Sequence, residues 1–241
     1  MAYIKFENVT LKYPIYNNRG FSLRTQLLRI GTGGLIESEV GSIKYITALN
    51  NVSFEVNDGD SIGIIGHNGS GKTTLLRTMA GIFKPEEGIV ETKGKLATLF
   101  EQQALMENEL SGYENITRVC LLLGLSINEA KKKIQEIEEF TELGNFLQFP
   151  VRTYSTGMSM RLSFAISTSI NPEIFLIDEI FEAGDKAFRE KAKLRMKNLI
   201  NTAKIFMLAS HSPAIIKEYC NRLFVLDHGK LREEDISYIN N

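Results

Sequence analysis

A glycine-rich segment carries the clearest chemical pattern in this sequence. Residues 66–73 read Gly-His-Asn-Gly-Ser-Gly-Lys-Thr and fit G-x-x-x-x-G-K-[ST] at every fixed position. An apolar run, Ser61–Ile65, precedes the segment, and a run with helical spacing, Lys72–Ile82, follows it. Glycines let the backbone curl so that successive N–H groups face one anion, and the helix adds the positive end of its dipole. The pattern predicts a phosphate-binding loop.

Two side chains of this loop have distinct expected roles. Lys72 is placed to reach the β- and γ-phosphates of a nucleoside triphosphate, and Thr73 offers a hydroxyl to Mg²⁺. The backbone of the neighbouring residues completes the predicted nucleotide-binding set. That set is Gly66, His67, Asn68, Gly69, Ser70, Gly71, Lys72, Thr73 and Thr74.

Two adjacent carboxylates end a second apolar run. Glu173–Asp178 has the composition of a buried strand, and Glu179 follows it directly. Because strand alternation sends neighbouring side chains to opposite faces, Asp178 can approach the Mg²⁺ beside Lys72 while Glu179 points elsewhere. In an ATPase the second acid can orient and polarise the attacking water. Downstream of a phosphate-binding loop, the pair favours catalysis over an ordinary surface pair.

These residues need a scaffold in which strands alternate with helices. Further strands are predicted at Tyr3–Lys12, Thr47–Val56, Lys204–Ser210 and Arg222–Leu226, with a hairpin over Gly88–Phe100. Helices are predicted at Leu110–Leu123, Ile127–Phe140 and Ser155–Ile170, the first two opening with the capping boxes Ser111/Glu114 and Ser126/Glu129. The alternation predicts a parallel α/β core, into which a helical block at about 105–154 is inserted. Between the first two strands lies a long segment containing an amphipathic stretch, Phe21–Ile30, and such an insertion is either functional or disordered.

The bulk composition is that of an ordinary globular chain. It has 241 residues, 43% hydrophobic and 24% charged, with a formal net charge of −1, so no global field favours nucleic acid or anionic lipid. The longest uncharged apolar stretch, near Val119–Ile127, is far shorter than the roughly 20 residues that span a bilayer, and the start lacks a signal-peptide core. Cys120 and Cys220 fit buried thiols in a reducing cytosol. We expect a cytosolic chain whose membrane role comes through a partner.

A further motif resembles that of a known family. Residues 154–158 read Tyr-Ser-Thr-Gly-Met and open the helix before the acid pair. They resemble the signature sequence of ABC ATPases, usually Leu-Ser-Gly-Gly-Gln, although only Ser155 and Gly157 match it. With Arg161-Leu-Ser-Phe-Ala behind it and Ala183-Gly184-Asp185 after the acids, the segment resembles the branch that exports polysaccharides and teichoic acids. The opening Leu11-Lys-Tyr-Pro and the insertion behind it resemble that branch too.

The resemblance covers essentially the whole chain and implies a fold. That fold is α/β, a P-loop NTPase of the ABC ATPase type with a RecA-like core, an antiparallel β subdomain and an inserted helical subdomain. It implies a single nucleotide-binding domain over 1–241, with the core at about 1–104 and 155–241 and the helical subdomain at about 105–154. No C-terminal carbohydrate-binding domain is expected.

The resemblance also implies roles for residues at matching positions. Tyr13 would stack on adenine, and His211 would be the switch histidine near the γ-phosphate. Gln102, with Gln103 as the alternative, would lie near Mg²⁺ and the attacking water. The implied catalytic residues are thus Glu179, His211 and Gln102, and the implied metal ligands are Thr73, Gln102 and Asp178. His67 and His228 are expected to be non-catalytic.

A second group of residues is implied to act on the nucleotide of another copy of the chain. Ser155, Thr156 and Gly157 would face that nucleotide, and Asp185 would lie at the interface between the copies. The physics supports this, because a serine that caps a helix aims its hydroxyl, the helix N–H groups and the dipole at an incoming anion.

The function implied is ATP hydrolysis that drives export of a lipid-linked polysaccharide, of the O-antigen, capsule or teichoic-acid type, across the cytoplasmic membrane. The implied cofactors are ATP and Mg²⁺. The partners would be an integral membrane permease, a second copy in an ATP-dependent head-to-tail dimer and the lipid-linked glycan, with no nucleic acid. The chain would sit at the cytoplasmic face of the membrane, and the basic stretch Arg19–Ile30 would either contact headgroups or the permease or be a surface loop.

Two other functions compete with the exporter subunit. A soluble, non-transport ABC ATPase in DNA repair or translation usually has a coiled coil or two tandem cassettes, and this sequence has neither. A P-loop kinase or GTPase would explain neither Ser155–Gly157 nor His211.

Overall fold

The computed structural model describes residues 1–16, 36–38, 43–100, 105–178 and 185–240. Its strands, in chain order, are β1 Tyr3–Tyr16, β2 Ile36–Ser38, β3 Ile43–Asn57, β4 Ser61–Ile65, β5 Glu87–Lys93, β6 Leu96–Thr98, β7 Ile174–Asp178, β8 Ile205–Ala209, β9 Arg222–Asp227 and β10 Lys230–Glu234. Its α-helices are α1 Lys72–Met79, α2 Gly112–Leu122, α3 Ile127–Thr141, α4 Thr156–Ser167, α5 Lys186–Thr202 and α6 Pro213–Tyr219.

The chain divides into two compact units. The first comprises Met1–Gly94, Ile177–Glu179 and Lys204–Asn241, and the second comprises Lys95–Leu176 and Ile180–Ala203. The predicted helical subdomain, residues 105–154, lies inside the second unit, and its boundaries stay a prediction.

The first unit contains an antiparallel sheet in the order β2-β3-β1-β5. The long β1 and β3 strands pair from Tyr3 opposite Asn57 to Tyr16 opposite Ile43. Apolar side chains alternate along β1, where Ile4 and Phe6 are buried, as expected for a sheet with one face in the core. The register shifts between Phe6 and Val9, between Val9 and Leu11 and between Leu11 and Lys12. Both strands extend past those predicted from sequence because their pairing continues to Tyr16 opposite Ile43.

A second set of strands in this unit is mostly parallel. β4 pairs in parallel with both β8 and β9, and β10 pairs antiparallel with β9. All five residues of β8 are buried, as are the three central residues of β4, which matches the continuous apolar runs of strands covered on both faces. The carboxyl ends of parallel strands meet at one edge of a sheet, where α/β proteins bind their ligands. The loop after β4 and residue His211 after β8 therefore come to the same edge.

The second unit is built on α2, α3 and α4. Both predicted capping boxes are confirmed: Ser111 and Ser126 each accept the N3 backbone N–H, and Glu114 and Glu129 each accept from the N-cap backbone. A ring cluster of Phe140, Phe164 and Phe188 joins α3, α4 and α5, with ring centroids 5.6–6.0 Å apart. This cluster ties α5 to the two helices that precede it in the chain.

The predicted hairpin over Gly88–Phe100 is wrong. β5 pairs antiparallel with β1, whereas β6 pairs in parallel with β7, so the two strands have different partners. Gly94, with φ 132°, separates them. Apolar alternation predicts two strands here but carries no information about which strand each will pair with.

Other differences concern element ends and elements that the sequence did not predict. The predicted helix Lys72–Ile82 ends at Met79, and Gly81 follows with φ 72°, a left-handed value that stops the helix. Helices α5 and α6 and strands β2 and β10 were not predicted. The amphipathic stretch Phe21–Ile30 lies outside the described residues.

Cys120 and Cys220 are both buried free thiols, which confirms the prediction of buried cysteines. Within the part of the chain that the structure describes, every helix is too short or too polar to cross a lipid bilayer.

Candidate nucleotide-binding site

The predicted phosphate-binding loop connects β4 to α1 through a backbone that requires glycine. Gly69 and Gly71 have φ values of 81° and 110°, in the left-handed region. A Cβ on Gly71 would lie 2.5 Å from the carbonyl oxygen of Ala48, and a Cβ on Gly66 would lie 2.2 Å from that of Leu226. The loop is therefore held by close backbone approach from β3 and β9, and side chains at these two positions would displace it.

The first turn of α1 has no covering side chain. Its N-cap residue is Gly71, which offers no side-chain acceptor, and the first turn contains no acidic residue. The first N–H groups of a helix have no partner within the helix, and the dipole places a partial positive charge there. This helix end is consequently suited to bind an anion such as a phosphate.

Lys72 is buried at the start of α1, and its ammonium lies against the loop. Its Nζ donates to the carbonyl oxygen of Gly66 at 2.8 Å and to that of His67 at 3.1 Å. A compact positive charge thus lies inside the curled backbone, beside the N–H groups of the first turn. Such an arrangement stabilises bound phosphate through charge-assisted hydrogen bonds.

Thr73 and Asp178 meet although they are far apart in the chain. The Thr73 Oγ1 hydroxyl donates to Asp178 Oδ2 at 2.5 Å, which joins the first turn of α1 to the end of β7. Hydroxyl and carboxylate oxygens are hard donors of the kind that Mg²⁺ takes together with substrate phosphates and water. The donor set therefore fits the metal predicted at this position.

A cavity of about 550 Å³ opens beside the loop. Its walls come from β1, β3, the loop, α1, the end of β7 and the segment after β8. The lining residues are Tyr13, Ile46, Thr47, Ala48, Asn68, Gly69, Gly71, Lys72, Thr73, Thr74, Asp178 and His211. The three β3 residues could not be predicted as part of the site, because nothing in their types distinguishes them from ordinary strand residues.

Tyr13 forms part of the wall of this cavity. Its hydroxyl lies 3.2 Å from Thr74 Oγ1, and its ring packs edge-on against Phe83, with centroids 5.7 Å apart and an interplanar angle of 80°. The ring is thus held in one orientation from two sides. An aromatic face fixed in this way is suited to stack on a planar base.

The remaining predicted residues fall into two groups. Ser155 is the N-cap of α4 and accepts from Met158 N at 3.3 Å, and both Ser155 and Thr156 are exposed in the second unit. Glu179, Gln102 and Gln103 lie outside the described residues.

Asp185 has a local structural role that the sequence did not predict. It caps α5 by accepting from Phe188 N at 2.9 Å, and it pairs with the guanidinium of Arg161. The backbone N–H of Phe188, followed by the charge of Arg161, lowers the pKa of this carboxyl. Its predicted place at an interface between copies stays a prediction.

The loop, the uncapped helix end, the Thr73–Asp178 pair and the aromatic wall define a P-loop nucleoside triphosphatase. A sequence model of the ABC transporter family matches residues 49–182, more than half of the chain. The chain belongs to the ABC transporter family, as an ATP-binding ATPase subunit.

Similar proteins agree with this assignment. The chain is 56% identical to the O-antigen export system ATP-binding protein RfbE of Yersinia enterocolitica, over 99% of the chain and 100% of that protein. It is 39% identical to the teichoic acids export ATP-binding protein TagH of Bacillus anthracis, over 95% of the chain but 40% of that protein. Among solved structures, the dimeric ATP-binding cassette MJ0796 bound to ADP and Pi superposes with a TM-score of 0.68 at 24% identity, covering 97% of the chain and 98% of the cassette. That likeness confirms the predicted fold class.

Proposed function

We propose that this chain is the motor subunit of an ABC exporter, which hydrolyses ATP in a head-to-tail dimer and drives a lipid-linked polysaccharide across the cytoplasmic membrane. The observation that carries the proposal is the single cavity that unites Tyr13, Lys72, Thr73, Asp178 and His211 beside an uncapped helix end. These are the groups that a base, a triphosphate and its metal would need.

The binding step follows from the contacts in the first unit. Adenine stacks on Tyr13, and the triphosphate lies along the loop towards the N-terminus of α1. The Lys72 ammonium, now 2.8 Å from the Gly66 carbonyl, turns to the β- and γ-phosphates, whose formal charge makes them stronger acceptors than a carbonyl.

Mg²⁺ would be held by Thr73 and Asp178, with Gln102 as a further oxygen ligand assigned from sequence alone. When bound it neutralises the charge that develops between the β- and γ-phosphates. A metal held by both residues would replace the direct hydrogen bond between Thr73 and Asp178, and the Thr73 hydroxyl would then donate to another acceptor.

Hydrolysis is assigned to residues at the ends of β7 and β8. Glu179, which follows Asp178, would orient and polarise the attacking water as a general base. His211 follows β8 and lines the cavity, so that its ring can contact the γ-phosphate and report its presence. Both roles are proposals based on their positions in the sequence and, for His211, on its place in the cavity wall.

The dimer is proposed from the resemblance of residues 154–158 to the ABC signature sequence, which would act on the nucleotide of another copy. The exposed N-terminus of α4, with Ser155 as its cap, would face the γ-phosphate held by the partner copy. Moving a dimer from 1:99 open to 99:1 closed needs about 5.5 kcal/mol of differential binding. A few charge-assisted bonds at roughly 1.5–3 kcal/mol each supply it, and they are lost when the γ-phosphate leaves. MJ0796 is a dimer, which supports the proposal that this chain also dimerises.

The cargo and the location are proposed from relatives. RfbE is named for O-antigen export, and TagH for teichoic acid export. From these names we propose a lipid-linked polysaccharide of the O-antigen, capsule or teichoic-acid type as the cargo. The chain would bind the cytoplasmic face of the membrane through a permease subunit.

The test of the catalytic cycle is a Glu179→Gln substitution. We expect ATP to bind with unchanged affinity, steady-state hydrolysis to fall by at least about 100-fold, and a dimer to accumulate with ATP and Mg²⁺. Light scattering after size-exclusion chromatography measures the dimer. Glu86→Gln, an exposed acid outside the cavity, serves as the matched control.

Two results would contradict this cycle. Hydrolysis near the wild-type rate in Glu179→Gln would remove the role of that residue. A monomer at saturating ATP, both alone and with the permease in lipid nanodiscs, would remove the head-to-tail dimer.

The exporter assignment has its own test. Affinity purification of the tagged chain from its native membrane should yield an integral membrane protein, and deletion of the chain should leave lipid-linked glycan on the inner side of the membrane. Recovery of soluble repair or translation factors, with normal glycan at the cell surface, would instead support a non-transport ATPase.

A further inference from the structure

Three potential metal ligands cluster behind the phosphate-binding loop. One ligand atom from each of His67, Asp227 and His228 lies within 4.8 Å of the other two, and we call this group the His-Asp-His triad. His67 belongs to the loop, whereas Asp227 ends β9 and His228 follows it in the turn to β10. None of the proposed catalytic steps uses these side chains.

The hydrogen bonding of His67 leaves two acceptor atoms, its Nε2 and Asp227 Oδ1, close enough to share a cation. Its Nδ1 lies 2.8 Å from the carbonyl oxygen of Asn68, and because that oxygen only accepts, Nδ1 carries the proton. In the neutral ring Nε2 is then a lone-pair acceptor, and it faces the Asp227 Oδ1 acceptor at 3.3 Å. Two acceptors at this separation repel each other unless a proton or a metal ion lies between them.

His228 completes the triad from the other side of Asp227. Its Nε2 lies 3.7 Å from Asp227 Oδ1, and its ring centroid lies 4.7 Å from that of His67. Its φ of 46° and that of Gly229, 75°, are the left-handed pair that a two-residue hairpin turn between β9 and β10 requires, so the turn holds His228 beside Asp227. Its buried Nδ1 has no hydrogen-bond partner within the described residues.

We propose that the His-Asp-His triad is a binding site for a divalent transition metal of the Zn²⁺ type. Ligands at about 2.0–2.1 Å in a tetrahedron lie about 3.3–3.5 Å from one another, close to the observed 3.3 and 3.7 Å. Imidazole nitrogens with one carboxylate suit Zn²⁺ rather than Mg²⁺, which takes oxygen. The Nδ1–H bond of His67 to a backbone carbonyl is the outer contact that orients a metal-bound histidine.

The surroundings allow the ion to enter and to act on the loop. The side chains of His67 and Asp227 are 41% and 60% exposed, so solvent reaches the triad. The turn that carries His228 already touches the loop, because Gly229 N donates to the Ser70 carbonyl at 3.1 Å. A bound ion would add a second link between this turn and His67.

The site predicts specific metal binding to the nucleotide-free chain. Titration calorimetry with ZnCl₂, without ATP or Mg²⁺, should detect one site in the wild type. His67→Asn and His228→Asn should each weaken it by at least about 10-fold. Asparagine tolerates left-handed φ, so His228→Asn should keep the wild-type melting temperature, measured without metal.

Two controls make the result specific. His211→Asn removes the third histidine of the chain and should leave Zn²⁺ affinity unchanged. Cys120 and Cys220 do not compete in the folded chain, because both thiols are buried.

The alternative to a metal ion between His67 Nε2 and Asp227 Oδ1 is a proton on His67 Nε2. Nitrogen NMR of the imidazoles separates the two, since Zn²⁺ should shift His67 Nε2 and leave Nδ1 protonated. The proposal is overturned if Zn²⁺ affinity is equal in the wild type and both triad variants. It is also overturned if His67 stays an imidazolium paired with Asp227 in excess Zn²⁺.

Discussion

The N-terminus of α1 differs from those of α2 and α3 in what occupies it. At α2 and α3 a serine and a glutamate of the chain itself satisfy the first N–H groups. At α1 the cap is a glycine in a left-handed conformation, and neither a capping side chain nor an acid is present. A capping box neutralises the helix end internally, whereas a glycine cap leaves its N–H groups and partial charge to an external anion.

The start of α4 lies between these two cases. Ser155 caps it with one hydroxyl, yet its first turn contains no acid, and the cap is exposed. Such an end keeps its helix stable in the absence of ligand and still offers positive potential. We propose that this difference has a function. The N-terminus of α1 binds phosphate whenever nucleotide is bound, whereas that of α4 contacts phosphate only when the dimer forms.

The largest expected effect comes from removing the positive charge at the N-terminus of α1, which has no capping side chain. Lys72→Ala should weaken ATP binding by about 2–5 kcal/mol, or roughly 30- to 5,000-fold in Kd, because the buried ammonium is lost from the phosphate cradle. Calorimetric titration with ATP measures it. Lys93→Ala, an exposed lysine on β5, should leave the affinity unchanged. Equal affinities in both variants would mean that phosphate is bound elsewhere.

The glycine cap of α1 should be hard to replace. Gly71→Ala forces a side chain to φ 110° and brings its Cβ to 2.5 Å from the Ala48 carbonyl, so we expect the free energy of unfolding to fall by about 2–4 kcal/mol. Gly69→Ala is the matched comparison, since it has φ 81° but no atom within 4 Å of the added Cβ. It should cost about 1–2 kcal/mol. Urea denaturation of both variants measures the difference, and equal losses would show that close approach to β3 does not matter.

A smaller loss of stability is expected at the N-terminus of α2, which has a capping box. Ser111→Ala removes the acceptor that holds Glu114 N and should lower the free energy of unfolding by about 1 kcal/mol. Its ATP affinity should not change, because α2 has no phosphate role. Urea melts and ATP titration give the two quantities. An effect on ATP binding would contradict the proposal that only helix ends without a capping box bind phosphate.

The smallest effect concerns the pH dependence of the same cap. Hydrogen bonds from the Ser111 side chain and backbone hold the pKa of Glu114 below its usual 4.5. A lowered folded-state pKa means that the contribution is fully present above the unfolded value and is lost as pH falls through the folded one. Melting temperature should therefore fall less between about pH 6 and pH 3 in Glu114→Gln than in the wild type. An identical fall in both would exclude a contribution from this carboxylate.

Elements whose signal is local could be predicted from the sequence. The strand Ser61–Ile65 matches β4 at both ends, because a short buried apolar run between a turn and a glycine leaves little choice. Both capping boxes are present, since they depend on contacts within four residues. The phosphate loop belongs to the same group.

Elements whose signal is non-local, or is masked by charged residues, could not be predicted from the sequence. The Gly88–Phe100 hairpin failed because the partners of β5 and β6, β1 and β7, are distant in the chain. Helix α5 was missed although Phe188, Ala192, Met196 and Leu199 are buried at helical spacing, because lysines and arginines between them hide the apolar face.

The candidate site divides in the same way. Lys72, Thr73 and Asp178 could be assigned from motifs, and the cavity contains all three. Two contacts could not be predicted: the close approach of the Ala48 carbonyl to Gly71, and the packing of the Phe83 ring beside Tyr13. Backbone approach and ring packing arise only when separate elements meet.

The burial of both native cysteines has a practical consequence for watching this motor at work. Burial raises the pKa of Cys120 to about 11 and that of Cys220 to about 12, so at neutral pH neither is a reactive thiolate. A single cysteine introduced on an exposed helix end will therefore take up a maleimide dye selectively, without prior removal of the native pair. Fluorescence transfer between two such labelled copies would then test the proposed opening and closing of the dimer in an otherwise unaltered chain.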